Sequence, residues 1–296
     1  MKLKTFAAAL AATTIAGSAF AADLPSRKVA PAYIAPAPIF TWTGFYVGVN
    51  AGVGWNAGGS QNGSQFHTGL DITGGALGAA GPTTAWASNM SSPIGFLGGL
   101  TVGYNMQVSP MFVAGLEADI QLASIRGDGT AATAVPFATN GLIAHFGAIN
   151  VAQKTDWFGT VRGRIGITPF SPALMLYATG GLAYGNVKTS FSMVDNFGPG
   201  VASFVGLSSG SSTKFGWTAG AGAEWGITQN WSLKGEWLYV DLGRSTLVGN
   251  NSVNIQNAIL APLMPTSQSY KHNFHVVRLG LNYRFGGAPA PVVAKY

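Results

Sequence analysis

Eight segments of about ten residues alternate apolar and polar side chains with period two, and this pattern limits the fold more than any other feature. In the first, Phe45, Val47, Val49, Ala51, Val53 and Trp55 alternate with Tyr46, Gly48, Asn50, Gly52 and Gly54. Tyr46 is the large exception on the small, polar face. The same texture recurs around Leu100, Leu116, Val161, Leu176, Ala221, Leu233 and Leu279. Ten residues is about the length a tilted strand needs to cross a bilayer. The links between segments are unequal in a regular way. Short turns fall near 108–110, 169–172 and 229–230, and long connections run over 56–93, 125–154, 188–213 and 244–272. Short and long links strictly alternate, so the long loops share one end and the termini lie at the other. This predicts an all-β, eight-stranded antiparallel up-and-down transmembrane β-barrel over 41–286.

Alternation alone does not say which face points outward. Composition does. Only 9% of the residues are charged, against roughly 25% in an ordinary soluble domain. The polar face is mostly Gly, Asn and Thr, too poor in charge for a soluble exterior. Aromatic residues on the apolar face gather near segment ends: Trp55, Tyr104, Phe112, Trp157, Trp217, Trp225, Trp237, Tyr239 and Tyr283. Such girdles mark the two water interfaces of a transmembrane barrel. The charges inside the segments then form a lumen set: Glu117, Asp119, Glu224 and Glu236 against Arg162, Arg164, Lys234, Arg278 and Arg284. Eight strands leave a lumen just wide enough for side chains to fill. Buried carboxylates need partners. The adjacent-strand pairs expected are Glu117 and Asp119 with Arg162 and Arg164, and Glu224 with Lys234, plugging the barrel and specifying its register.

The first 21 residues read as a secretory signal peptide, with Lys2 and Lys4, an apolar run from Phe6, and a small-x-small end at Ala19-Phe20-Ala21. Residues 22–40, with Pro25, Pro31, Pro36 and Pro38, read as an extended periplasmic linker. Residues 287–296 form a C-terminal tail. There is no cysteine, so an exported chain of this kind is stabilised without disulfides. The net charge of +6 drops by two with Lys2 and Lys4, which is mild and, with export, argues against nucleic acid as a partner.

Several segments carry a family resemblance: Trp42-Thr43-Gly44-Phe45-Tyr46-Val47-Gly48, Gly115-Leu116-Glu117-Ala118-Asp119, Trp157 through Gly166, Tyr177 through Gly185, and Leu238-Tyr239-Val240-Asp241-Leu242-Gly243. Together these resemble the alphaproteobacterial outer-membrane β-barrel proteins of the porin-like surface-antigen type, within the OmpA-like/OmpW-like eight-stranded superfamily. The resemblance covers nearly the whole mature chain and implies a place in the outer membrane of a Gram-negative cell. Two site readings follow from it. Val277, Leu279, Leu281, Tyr283 and Phe285 resemble the signal read by the barrel-assembly machinery, although Gly286 to Tyr296 follow it. Ala22 and Asp23 resemble the start by which relatives are joined to peptidoglycan through an L,D-transpeptidase. That chemistry needs an accessible α-amine, and a pKa near 8 leaves some of it unprotonated at neutral pH.

Basic residues flank three of the long connections: Arg126 and Lys154, Lys188 and Lys214, Arg244 and Lys271. At the outer rim they are candidates to meet lipopolysaccharide phosphates as charge-assisted pairs. His272 and His275 sit three apart at a strand start and face opposite sides, which disfavours a metal pair. No Ser or acid stands two residues from His275 on its face, so nothing suggests lipid-modifying catalysis. No cofactor is called for. The leading reading is a non-enzymatic structural outer-membrane protein supporting envelope integrity among membrane lipid and lipopolysaccharide. Two others stay open: a narrow porin-like diffusion channel, and a surface-loop adhesin or haem binder.

Overall fold

The structure, a computed structural model, describes residues 40–57, 60–65, 84–136, 144–196, 203–255 and 258–286. The signal peptide, most of the linker including Ala22 and Asp23, and the tail 287–296 lie outside these residues. Ten strands run β1 Gly44–Asn56, β2 Ser60–Gln65, β3 Thr84–Ser91, β4 Gly95–Gln107, β5 Phe112–Pro136, β6 Ala144–Ser171, β7 Leu174–Asn196, β8 Ser203–Gly226, β9 Trp231–Ile255 and β10 Ala258–Arg284. Eight of them close a ring in chain order, β1–β4–β5–β6–β7–β8–β9–β10, and β10 returns to β1 with Tyr46 opposite Arg284 and Trp55 opposite His275. Every pairing is antiparallel, and closure leaves no unpaired edge within the membrane.

The apolar face is the outward one. Phe96 and Phe215 are 77% and 78% exposed, and Leu116, Ile165, Leu182 and Leu279 are exposed with them. The strands carry their Gly, Asn, Thr and charges inward. A strand of 13 residues such as β1, rising ~3.3 Å per residue and tilted ~40°, spans about 33 Å along the barrel axis, enough for a hydrocarbon band of ~25 Å. The lower girdle holds Phe45, Tyr104, Phe112, Trp225, Trp231 and Tyr283; the upper holds Trp55, Trp157, Tyr184, Trp217, Trp237 and Tyr239. Rings meet across strands within both, as in Phe45–Tyr104 at 4.7 Å and Trp217–Tyr239 at 5.3 Å.

The connections depart from expectation. β5 to β10 are 23 to 28 residues long, about twice a spanning strand. Most of 125–154, 188–213 and 244–272, expected as loops, is therefore strand. β2 and β3 form a hairpin inside the connection 56–93; β2 pairs with β10 at Thr266–Ser269 and β3 pairs with β5 at Asp128 and Gly129. They stand in for β1 and β4 where those strands have ended, so the wall continues beyond the bilayer. The period-two signal fades there because neither face meets lipid and the apolar contrast disappears.

Two apolar layers fill the lumen at different heights. Near the short turns, Trp42 packs with Val113, Met175, Tyr177 and Phe40, and its indole N–H donates to the Pro172 carbonyl at 2.8 Å. At the level of the upper girdle lie Leu97, Ile125, Phe158, Val187, Leu238, Val240, Leu242, Phe274 and Val276. The Phe158 and Phe274 rings meet edge to face at 5.1 Å. These residues sit in the inward register, where the alternation assigns small or polar groups. Leu238→Ala should cost about 2–5 kcal/mol by leaving a cavity in this layer. Leu279→Ala, whose side chain faces lipid, should cost clearly less. Urea unfolding in detergent micelles, followed by the heat-dependent gel shift of the barrel, measures both.

Candidate functional site

Between the two apolar layers lies an ionic layer. Glu117, Asp119, Arg162, Arg164, Glu224, Lys234, Glu236 and Arg278 all point inward and all are buried, none more than 5% exposed. Arg162 is the hub. It lies directly opposite Glu117 in the β5–β6 register and pairs with that carboxylate. It also reaches Asp119 at 2.9 Å and Glu236 at 2.9 Å. Arg278 joins Asp119 at 2.8 Å to Glu236 at 2.6 Å from the β10 side. Arg164 links Glu224 at 2.7 Å with Glu117 at 3.4 Å. The four carboxylates and four cations balance. Every charge but Lys234, which meets Glu117 alone, shares more than one partner or has a neutral donor as well, which a buried ion layer needs because single pairs seldom offset desolvation.

Two expected partners differ. Glu224 and Lys234 face each other in the β8–β9 register, yet they form no ion pair. Lys234 crosses the lumen to Glu117, with both oxygens at 2.9 Å, and Glu224 takes Arg164, Ser232 at 2.6 Å and Asn282 at 2.9 Å. A lysine ammonium on four methylenes reaches past its register neighbour to a carboxylate from another wall, so register does not limit its choice. Arg284 is buried but belongs to no ion pair among the described residues. Its guanidinium lies over the Phe40 and Trp42 rings, 4.7 and 5.0 Å from their centroids, and donates to the Gln229 carbonyl at 3.0 Å. It sits one strand end below the acids and closes the lower apolar layer instead.

The alternation did not single out the neutral members as partners. Tyr46 donates to Glu117 at 2.7 Å and accepts from Arg164 at 3.0 Å. Tyr177 donates to Glu236 at 3.0 Å while Arg164 stacks 4.0 Å from its centroid. Thr160 donates to Asp119 at 2.8 Å. Each tyrosine ring lies over an inward glycine, Tyr46 on Gly103 and Tyr177 on Gly222, where a Cβ would overlap the ring. Tyr46 was visible in the sequence as the one bulky residue on the small, polar face of the first segment.

The candidate assembly residues all lie on the lipid face of β10. Val277, Leu279, Leu281 and Phe285 are exposed, and Tyr283 packs between Trp231 and Phe285. The basic rim residues divide. Arg126, Lys154 and Lys188 stand in one row, opposite one another across β5, β6 and β7, just beyond Trp157 and facing outward. Asp156 bridges Lys154 at 2.5 Å and Lys188 at 2.8 Å, and the two ammonium groups hold its carboxyl below the ordinary range. On the other wall Arg244 lies opposite Lys271, which pairs with Asp241 at 3.2 Å. Lys214 is different. It falls opposite Gly185, on the inward register between outward-facing Phe215 and exposed Thr213. The expectation that it meets lipid phosphate is therefore corrected. Its charge acts inside the barrel mouth, on buried His272, which burial chiefly and Lys214 secondarily push down to about 4. His272 contacts the Ser245 hydroxyl at 3.0 Å, tying β9 to β10 inside the wall. His275 faces outward among Trp55, Trp237 and Tyr239. No group of three or more potential metal ligands occurs among the described residues.

A closed ring with a lipid-facing apolar exterior and a charged lumen is the architecture of outer-membrane barrels. The model of the outer membrane protein beta-barrel domain matches residues 7–285. The chain belongs to the outer-membrane protein β-barrel family. This family member is 37% identical over 293 residues to the 31 kDa outer-membrane immunogenic protein of Brucella melitensis biotype 1, covering 96% of this chain and all of that protein. It is 31% identical over 206 residues to the 22 kDa outer membrane protein of Rhizobium leguminosarum bv. viciae, covering 69% and 66%. The solved outer membrane protein OprG from Pseudomonas aeruginosa covers 84% of this chain and all of that one at 14% identity, with a TM-score of 0.40. The barrel is a protein of the outer membrane.

Replacing Arg162 by Ala removes the partner shared by Glu117, Asp119 and Glu236, and should cost about 3–5 kcal/mol because buried carboxylates are left uncompensated. Pairing Arg162→Met with Glu236→Gln should recover part of that loss. The gel-shift temperature of the refolded protein reads both.

Proposed function

We propose that this barrel is a closed structural protein of the outer membrane, without enzymatic activity, that supports envelope integrity. The observation that carries this reading is the ionic layer sealed between two apolar layers. An aqueous path would have to pass Trp42 and Met175, then the buried ion-paired layer, then Phe158, Leu238 and Phe274. A diffusion channel needs a continuous wet lumen, and these side chains fill it instead. The non-enzymatic reading is supported by relatives named as outer-membrane immunogenic proteins, and the His272–Ser245 contact is buried within the wall. Assembly through the barrel-assembly machinery would read the outward series Val277, Leu279, Leu281, Tyr283 and Phe285.

The refolded mature protein should show no steady conductance in planar bilayers. The double variant Leu238→Gly with Phe274→Gly should open a measurable leak. A stable wild-type channel with discrete steps would favour the porin reading.

The second part of the proposal is a covalent tether. A mature start at Ala22-Asp23, followed by a linker of about 19 residues that reaches at most ~60 Å when extended, suits attachment of the Ala22 amine to peptidoglycan. Lysozyme-released muropeptides should then carry a peptide beginning at Ala22. Replacing Ala22-Asp23 by Gly-Lys should abolish it while the barrel still assembles.

A further inference from the structure

Above the upper girdle the wall between β8 and β9 is interrupted. Trp217 lies opposite Asp241, and the ladder resumes only at Val205 opposite Ser252. Between these points β8 advances twelve residues and β9 eleven. A one-residue slip exchanges the two faces of a strand, so no single regular ladder joins the two pairings. Over 206–214 β8 keeps its pairing with β7, and over 244–251 β9 keeps its pairing with β10. Toward each other the two strands carry edges that make no ladder among the described residues. Backbone N–H and C=O groups along such edges are a template for another strand. Ser212 shows the interruption from inside. It lies opposite buried Val187 on the inward register, yet it is exposed. From Leu207 to Thr213 β8 holds no charge and no proline, the residues that ordinarily blunt an edge. At the lower end the charge has one sign. Lys214 faces inward from β8, and Arg244 is exposed on β9 beside Lys271. The nearby carboxylate of Asp241 is already engaged, by Lys271 at 3.2 Å and by the Gly243 N–H at 2.8 Å. Tyr270 is fully buried opposite Ser245, and its hydroxyl has no hydrogen-bond partner among the described residues.

We propose that this interruption is a docking site for an extended acidic peptide strand of an extracellular partner. The strand enters between β8 and β9 and bonds to both edges, ~4.8 Å from each. An inward Glu or Asp near its lower end meets Lys214 and the Tyr270 hydroxyl, and an outward one meets Arg244, as charge-assisted hydrogen bonds. Ser208, Gly210 and Ser212 on the inward register of β8 are small and leave room for the inward side chains of the added strand. The same cations disfavour a second copy as occupant. Setting β8 of one copy on β9 of another would bring Lys214 and Arg244 together, and like charges on neighbouring strands repel. The site lies above the apolar layer of Phe158, Leu238 and Phe274, so it does not depend on the lumen being closed below.

The test uses the mature protein refolded in detergent and three short labelled peptides of alternating valine and threonine. The first carries two adjacent glutamates near one end. The second carries lysines at those positions. The third keeps the glutamates but has every second backbone amide methylated. Fluorescence anisotropy reads affinity. The glutamate peptide should bind at least tenfold more tightly than either of the others. Lys214→Glu with Arg244→Glu should turn the preference toward the lysine peptide, and an unaltered gel shift on heating shows that this variant is folded. On binding, amide hydrogen exchange of the wild-type protein should slow over 207–213 and 244–251 and stay unchanged over 174–184, a readout that needs no variant. Equal binding of the lysine or the methylated peptide, or a glutamate preference kept by the folded double variant, overturns the proposal. So does slow exchange over 207–213 without peptide: in a dimer by native mass spectrometry it assigns the two edges to a second copy, and in a monomer to a segment of the same chain.

Discussion

Everything inside this barrel depends on pairing charges where water is scarce. An isolated carboxylate there would be costly enough to take up a proton or destabilise the fold. Four acids and four cations avoid that by forming one connected layer. The layer draws on β5, β6, β8, β9 and β10, and Tyr46 and Tyr177 extend it to β1 and β7. A register slip of one residue in any of these strands would turn its member out toward lipid. The ionic layer therefore specifies register at the same time as it fills the lumen.

The small residues of the strands serve this layer. Gly103 and Gly222 leave room for tyrosine rings to lie flat against the inner wall and present hydroxyls to the acids. The apolar layers on either side keep bulk water from competing for those hydrogen bonds, which strengthens them. On the outer surface, lipid replaces the protein core as the apolar phase, so large residues such as Phe96 and Phe215 are exposed without penalty. Beyond the girdles the outward face turns to Ser, Thr, Asn and basic residues. The wall there stands as paired strands rather than loops because backbone ladders continue after the lipid has ended.

Much of the architecture was readable in order along the chain. Alternation around Val49, Leu116 and Leu279 marked the lipid face, and the unequal links marked the two ends. The inward direction of Glu117, Arg162 and Arg278 followed from parity alone. Three things were not readable. Leu238, Phe158 and Phe274 occupy the polar register, so the alternation gave no sign that they form a second core. The extended parts of β5 to β10 have no contrast between their faces, so they resembled loops. Lys214 flanks a long connection as Lys188 does, but opposite parity turns it inward.

By itself the sequence determined which residues face lipid and which face the lumen, because in a strand that choice alternates with position and lipid leaves charged groups only one side to occupy. Which charges meet was decided only by the tertiary structure. Glu224 and Lys234 are neighbours in register, and Arg284 shares their parity, yet Lys234 binds Glu117, Glu224 binds Arg164, and Arg284 rests on aromatic rings. In an eight-stranded ring, long side chains from facing walls meet in the lumen and fill it. Partners are chosen across the lumen, by geometry that exists only once the barrel has closed.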